Sequence, residues 1–227
     1  MCGRFRVARS KEILEEAFEV EDGLSPVEWS PRYNVAPGQA VVAVRQAPER
    51  AGRQWATLRW GLIPAWAKDA AVGYKMINAR AETAASKPAF REAMRRRRCL
   101  IPADGFYEWK QAGKEKLPYC FTLADDAVLA FAGLWERWRN PQGEALESCT
   151  ILTTEPNAMV RDVHDRMPAI LAPESYALWL DPGVTRVEEV LPLLKPYSGA
   201  MRRYRVSSRV NHVTCDDAEC AAEVEAA

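Results

Sequence analysis

Between Val41 and Ser208 the chain strings together eight short β-type runs, none longer than eight residues: Val41–Val44, Trp55–Trp60, Tyr74–Ala79, Cys99–Pro102, Tyr119–Leu123, Val128–Trp135, Ser148–Thr153 and Tyr204–Ser208. They are rich in β-branched and aromatic residues and are separated by turn-forming Gly, Pro, Asn and Asp, the pattern of hairpin strands. Helical spacing is rarer. Ile13, Leu14, Ala17 and Phe18 recur at that spacing behind Ser10, which is placed to cap the first turn. Further helices are predicted near Lys87–Arg97, Glu174–Leu180 and Val187–Leu194, with a loop over Tyr33–Gly38. Strands clustered by hairpins with helices interspersed irregularly read as an α+β fold, a mainly antiparallel sheet or barrel with peripheral helices. No repeat or long linker interrupts the chain, and 227 residues at 48% apolar content suit one domain over 1–227. The tail from about 216 to 227 is expected at its periphery.

Several classes are set aside by composition. No apolar run approaches the roughly 20 residues of a membrane span, and the first segment, with Arg4, Arg6, Arg9 and Lys11, lacks a signal-peptide core. The expectation is a cytoplasmic protein. Six cysteines, at 2, 99, 120, 149, 215 and 220, form no CxxC pair, so neither a zinc site nor a disulfide scaffold is signalled. Cys99, Cys120 and Cys149 fall in strand-like runs and read as buried apolar residues. Net charge is zero, but it is uneven: Met201–Arg209 holds four arginines and no acid, and the tail from Asp216 holds five acids and no base. The Arg95–Arg98 run reads as a solvated helix end, with cations at the negative pole of the helix. Without apolar heptads or a long bare edge, a monomer is expected.

The second residue is a cysteine, in Met1-Cys2-Gly3-Arg4-Phe5. Loss of the initiator would leave an α-amine, with a pKa of about 7.7–8.0, and a thiol on the same residue. An amine condenses with an aldehyde to an imine, and the neighbouring thiol can then close on the imine carbon as a five-membered thiazolidine. On position alone such a cysteine is unremarkable. Four other spots carry chemistry. In Ile77–Glu82, strand alternation would put Asn78, Arg80 and Glu82 on one face, joining an amide to a phosphate-binding fork, although taken alone such a pattern is more often an exposed strand face with an ion pair. Glu108 lies in the aromatic stretch Phe106-Tyr107-Glu108-Trp109 behind a predicted Asp104-Gly105 turn. Apolar neighbours there would raise its pKa toward neutrality, as acid–base work requires; a solvent-facing hairpin would not. His164, one of two histidines, sits in a Pro-terminated loop and is a candidate proton carrier. Trp66, in Trp60-Gly61-Leu62-Ile63-Pro64-Ala65-Trp66, can stack on a base or simply be buried.

Taken in order, Met-Cys-Gly-Arg-Phe, Tyr33–Gly38, Trp60-Gly61, Ile77–Glu82, Ala103–Lys110 and His164–Pro168 make the chain resemble the SOS-response-associated peptidase family of abasic-site processing proteins. The resemblance implies that Cys2 becomes the mature N-terminus and forms a thiazolidine with the ring-opened aldehyde of an abasic site in single-stranded DNA. It implies that Asn78, Glu108 and His164 share the catalytic site with Cys2, and that Arg4 and Arg80 hold phosphates. Asn34, Trp66 and Arg166 would line the DNA path. The chain departs from the family at Ala67, where a second aromatic residue often follows Trp66. No metal or organic cofactor is needed. An imine also acidifies the adjacent sugar C–H, so strand cleavage by β-elimination is an accompanying lyase path. Two other classes stay open: a cysteine peptidase or N-terminal nucleophile hydrolase whose minimal act is removal of Met1, and a noncatalytic reader of modified DNA.

Overall fold

The computed structural model describes residues 2–20, 29–46 and 52–225. The chain forms β1 (Phe5–Val7), α1 (Lys11–Phe18), β2 (Arg32–Val35), β3 (Ala40–Gln46), β4 (Arg53–Trp60), β5 (Asn78–Arg80), α2 (Ala81–Ala84), α3 (Arg91–Arg96), β6 (Arg98–Ala103), β7 (Gly105–Ala112) and β8 (Glu115–Leu123). There follow β9 (Leu129–Arg139), β10 (Ala145–Thr154), α4 (Ala158–Arg161), β11 (Met167–Pro168), β12 (Ile170–Leu171), α5 (Tyr176–Leu180), α6 (Val187–Val190) and β13 (Met201–Arg205). The expected β-rich α+β class holds. Short helices decorate two sheets, and no helix among the described residues is long and apolar enough to cross a membrane.

One sheet closes on itself. β3 pairs with β4 and β6, β6 with β9, β9 with β10, and β10 returns to β4, giving a five-stranded barrel. All its pairings are antiparallel except β10–β4. Closure removes the open edges that an isolated sheet would present. The other sheet runs β13-β8-β7-β1-β2. Phe5 and Phe106, partners across β1 and β7, both pack on Phe131 of the barrel, with ring centroids 5.8 and 6.2 Å away. Trp60 lies 5.2 Å from Phe5, and Phe121 stacks on Phe106 at 5.0 Å. These rings bury large apolar areas in favoured tilted and offset geometries, so one core is shared by both sheets.

Four local expectations are corrected. Tyr74–Ala79 is not a strand: residues 70–75 make a 3-10 turn capped by the Asp69 side chain, and only Asn78–Arg80 is extended before α2 begins at Ala81. Glu82 therefore sits in a helical first turn, not on an alternating strand face with Asn78 and Arg80. Arg98 is not a solvated helix end. It is buried in β6, where its guanidinium donates to the carbonyls of Met94, Arg95, Trp179, Asp181 and Val184, a set of acceptors dense enough to hold a cation out of water. Arg97 pairs with Glu136 at 2.7 Å.

The acidic tail is not peripheral either. Asp216 accepts from the backbone N–H groups of Tyr33 and Asn34 and pairs with Arg32, Asp217 pairs with Arg209, and Glu223 pairs with Arg202. Cys220 and Ala221 within it are buried. The tail's negative charge answers the arginines of 201–209, and the contact fixes β2. Ala226 and Ala227 lie outside the described residues.

Candidate functional site

Register brings the first residues to Glu108. Phe5 opposes Phe106 and Arg6 opposes Gly105, and Tyr107 N–H donates to Arg4 O at 3.0 Å, so residues 2–4 run past 107–109. On its other side Gly105 lets β8 lie close to β7: a Cβ there would lie 2.8 Å from Phe121 O. The Asp104 carboxylate at the β6–β7 junction accepts from Ala8 and Arg9 N–H, tying the start of the chain to the strand that carries Glu108. From the barrel side, β10 pairs in parallel with β5, placing Asn78 opposite Ile151, and antiparallel with β11, just past His164. β10 thus delivers Asn78 and His164 to the end of the small sheet.

There Cys2 is buried, and its carbonyl accepts from Asn78 Nδ2 at 2.8 Å. Asn78 Oδ1 is also buried, without a hydrogen-bond partner among the described residues, an acceptor directed at whatever donor enters. Glu108 is 3% exposed. Burial raises its pKa to about 7, with Asp165 adding to the rise and the positive N-terminus opposing it. The same burial, with the Glu108 charge, pushes the Cys2 thiol well above its ordinary range, so the resting group is the neutral thiol. His164 Nε2 lies 4.0 Å from Glu108 Oε2. Burial lowers the His164 pKa; its Nδ1 lies 3.0 Å from Arg166 N and 2.9 Å from Asp165 Oδ1, and its Nε2 faces Glu108. Met1 lies outside the described residues.

The cavity over Glu108 and His164 has a volume of about 460 Å³ and is also lined by Arg4, Trp109, Lys116 and Asn211. Arg4 donates to Asn34 Oδ1 at 2.7 Å and to Val210 O, and its buried Nε has no partner among the described residues, leaving donor capacity toward an anion. Asn34 is fully buried, its amide shared among the carbonyls of Val210, His212 and Cys215. It does not line an open path; it aims Arg4. Arg166 likewise commits its fork to Glu82, at 2.9 Å to each oxygen, and to Thr153 O, holding the His164 segment against β10. Arg80 is exposed, and its side chain forms no hydrogen bond or ion pair with the described residues. Trp66 is 64% exposed, on the loop ahead of Asn78. Lys116, Trp109 and Asn211 were not singled out by sequence. Trp109 adjoins the Glu108 motif, whereas Lys116 and Asn211 belong to no motif and reach the cavity only through the β7–β8 hairpin and the tail packing.

Glu108 makes stability depend on pH in a calculable direction. Its ordinary value of 4.5 applies to the unfolded chain and about 7 to the fold, so between these pH values only the folded chain holds the proton. The contribution is present in full below pH 4.5 and is lost as pH rises to 7, at about 1.4 kcal/mol per unit, or about 3 kcal/mol in all. Glu108→Gln is expected to be the more stable protein at pH 8 by that order, with the gap closing at pH 5, in urea unfolding at both. A gap that does not change with pH would contradict the desolvated carboxyl.

The family model described as SOS response associated peptidase (SRAP) matches residues 1–213. The chain is 46% identical over 221 residues to abasic site processing protein YoaM of Bacillus subtilis, covering 96% of each chain. It is 28% identical to abasic site processing protein HMCES of Xenopus tropicalis, covering 99% of this chain and 78% of that one. Among solved structures, a protein from Bordetella bronchiseptica superposes with a TM-score of 0.78 at 30% identity, over 91% of this chain and all of that one. A protein from Bacteroides thetaiotaomicron superposes with a TM-score of 0.83 at 26% identity, over 91% and 93%.

Proposed function

Because the chain belongs to the SOS response associated peptidase family, whose relatives above are named abasic site processing proteins, we propose that it captures abasic sites in single-stranded DNA as a covalent thiazolidine on Cys2. The observation that carries this reading is the buried contact of Cys2 with Asn78, beside a carboxyl raised to about 7 and a histidine 4.0 Å beyond it. After removal of Met1, the α-amine of Cys2 adds to the sugar aldehyde. Asn78 Oδ1 accepts from that amine. Glu108, near half-protonated at neutral pH, gives a proton to the departing hydroxyl as water leaves, then takes the thiol proton as sulfur adds to the imine carbon. The sulfur forms one bond to carbon, the C=N π pair becomes the nitrogen lone pair with its proton, and one water is lost overall. His164, whose Nε2 faces Glu108, assists opening of the sugar hemiacetal and passes protons to Glu108. β-Elimination from the imine is the competing lyase path, which thiol capture closes.

A peptidase using a preformed Cys2 thiolate is disfavoured by the neutral thiol that burial and Glu108 impose. Intact mass after incubation with an abasic single strand separates the classes: a DNA adduct supports capture, peptide cleavage supports a hydrolase, and unmodified protein that only binds supports a reader.

Arg4 and Arg80 are assigned to phosphates beside the lesion, with Asn34 and Arg166 as positioning residues. Phosphate contacts release counterions, so Arg80→Ala is expected to flatten the log–log salt dependence of single-strand binding by roughly 0.7, equally for all sequences. Titrations of undamaged mixed-sequence strands from low to moderate salt measure it. An unchanged slope would remove Arg80 from the phosphate path.

A further inference from the structure

His164 lies in neither sheet but at the end of a short turn between them. The turn opens at Asn157, whose Oδ1 accepts from Val160 N–H at 3.1 Å, and Val160 O then accepts from the N–H groups of both Val163 and His164, at 2.8 and 2.9 Å. Met159, Val160 and Val163 pack onto the shared core. The backbone from 157 to 164 is therefore one compact unit, and whatever fixes that unit fixes His164. Val163 N–H, the donor that a continuing helix would offer Met159 O, goes to Val160 O instead, so the carbonyl of Met159 takes a partner from elsewhere.

That partner is Arg203. Arg202 and Arg209 answer the acids of the tail, but Arg203 donates to Met159 O at 3.1 Å, lies 3.6 Å from Asp162 Oδ2, and sits over the Tyr119 ring, 5.5 Å from its centroid. A planar fork can bridge a carbonyl and a carboxylate of one turn while its flat face rests on a ring. Register ties this clamp to the chemistry. Tyr119 opposes Glu108 across β7 and β8, and Arg203 opposes Phe121 across β8 and β13, so Glu108, Tyr119 and Arg203 share the face of the small sheet that carries Phe121 and Phe106 toward the barrel. Arg166 anchors the other side of His164 to the barrel at Thr153 O. We infer that Arg203 is a positioning residue for capture: it holds the turn from Met159 to His164 against the strands that carry Glu108, and so sets His164 over that carboxyl. This rests on the capture reading above, in which His164 opens the sugar and passes protons to Glu108.

The rate of heat-stable adduct formation with an abasic single strand tests this. Arg203→Met keeps an apolar chain over Tyr119 but removes the fork, and is expected to slow capture on the order of 10- to 100-fold, the scale for a catalytic group displaced by about 1 Å. In a His164→Ala background the same substitution is expected to cost nothing further, because the two residues act as one unit. Arg203→Lys, which still offers a donor to Met159 O, is expected to recover part of the rate. An Arg203→Met rate equal to wild type overturns the proposal, and so does a double variant slowed again by the same factor, which would make the arginine merely structural. Proton NMR titration of His164 reads the displacement without DNA, and with two histidines in the chain its ring is followed separately. Burial, the N-terminus and Lys116 lower the His164 pKa, Asp165 raises it but travels with the ring, and Glu108 is largely protonated below about pH 7. Release of the turn is therefore expected to move His164 up toward the ordinary histidine value in Arg203→Met, and an unchanged titration overturns the proposal. A wild type that forms no adduct counts against capture at Cys2, while the titration still decides whether Arg203 sets His164.

Discussion

Cys2→Ala is expected to abolish the heat-stable adduct with abasic single strands, a loss limited only by detection, while borohydride still traps an imine and some strand cleavage continues. The small alanine leaves removal of Met1 unimpaired, so the α-amine survives and the first condensation proceeds; what is lost is the sulfur that closes the ring. Cys2→Ser is expected to behave the same way, since a hydroxyl is a weaker nucleophile toward the imine carbon. Denaturing gels run with and without borohydride and with and without heating read both products. Because Cys2 is buried against the core, its variants need a check by thermal unfolding, and the trapped imine itself reports that the site has formed. A heat-stable crosslink on either variant without reductant would rule out the thiazolidine.

Retaining Met1, or placing a tag ahead of Cys2, is expected to cost more than losing the thiol. The nucleophilic amine then becomes a peptide nitrogen, which does not condense with aldehydes, so the imine, the ring and the lyase path are lost together. Neither borohydride nor heat treatment should reveal an adduct on such a chain, whereas enzymatic removal of the tag to expose Cys2 should restore it in full. Undiminished trapping on the blocked protein would move the reacting amine to a lysine, and Lys116 on the cavity wall would be the first to replace.

The fold class was legible because barrel strands such as β4, β6 and β9 carry their own apolar runs. β1 and β2 were not, being three and four residues long and formed by pairing with β7 and with each other. For the site, chemistry named the residue types, and Cys2, Asn78, Glu108 and His164 do converge. Their convergence depends on β10 pairing with both β5 and β11, a long-range arrangement that periodicity does not encode. Sequence erred most over arginines and acids. Arg98, Arg166, Asn34 and Asp216 are polar residues whose partners are backbone carbonyls, backbone N–H groups or distant side chains, so nothing near them in sequence separates a structural bond from a ligand contact. Tyr74 shows the reverse error: an aromatic in a β-like run, it is among the most exposed side chains in the fold.

Peptide mapping of the adduct bears most directly on capture by Cys2. Wild-type protein is incubated with an abasic single strand, heated without reductant, alkylated at free thiols, and digested with nuclease and trypsin. Thiazolidine closure requires the sugar remnant on the N-terminal peptide Cys2-Gly3-Arg4, with Met1 absent, one water lost, and neither the thiol nor the primary amine of Cys2 open to labelling. An alkylated Cys2 thiol on the sugar-bearing peptide, or the remnant on any lysine, would contradict it.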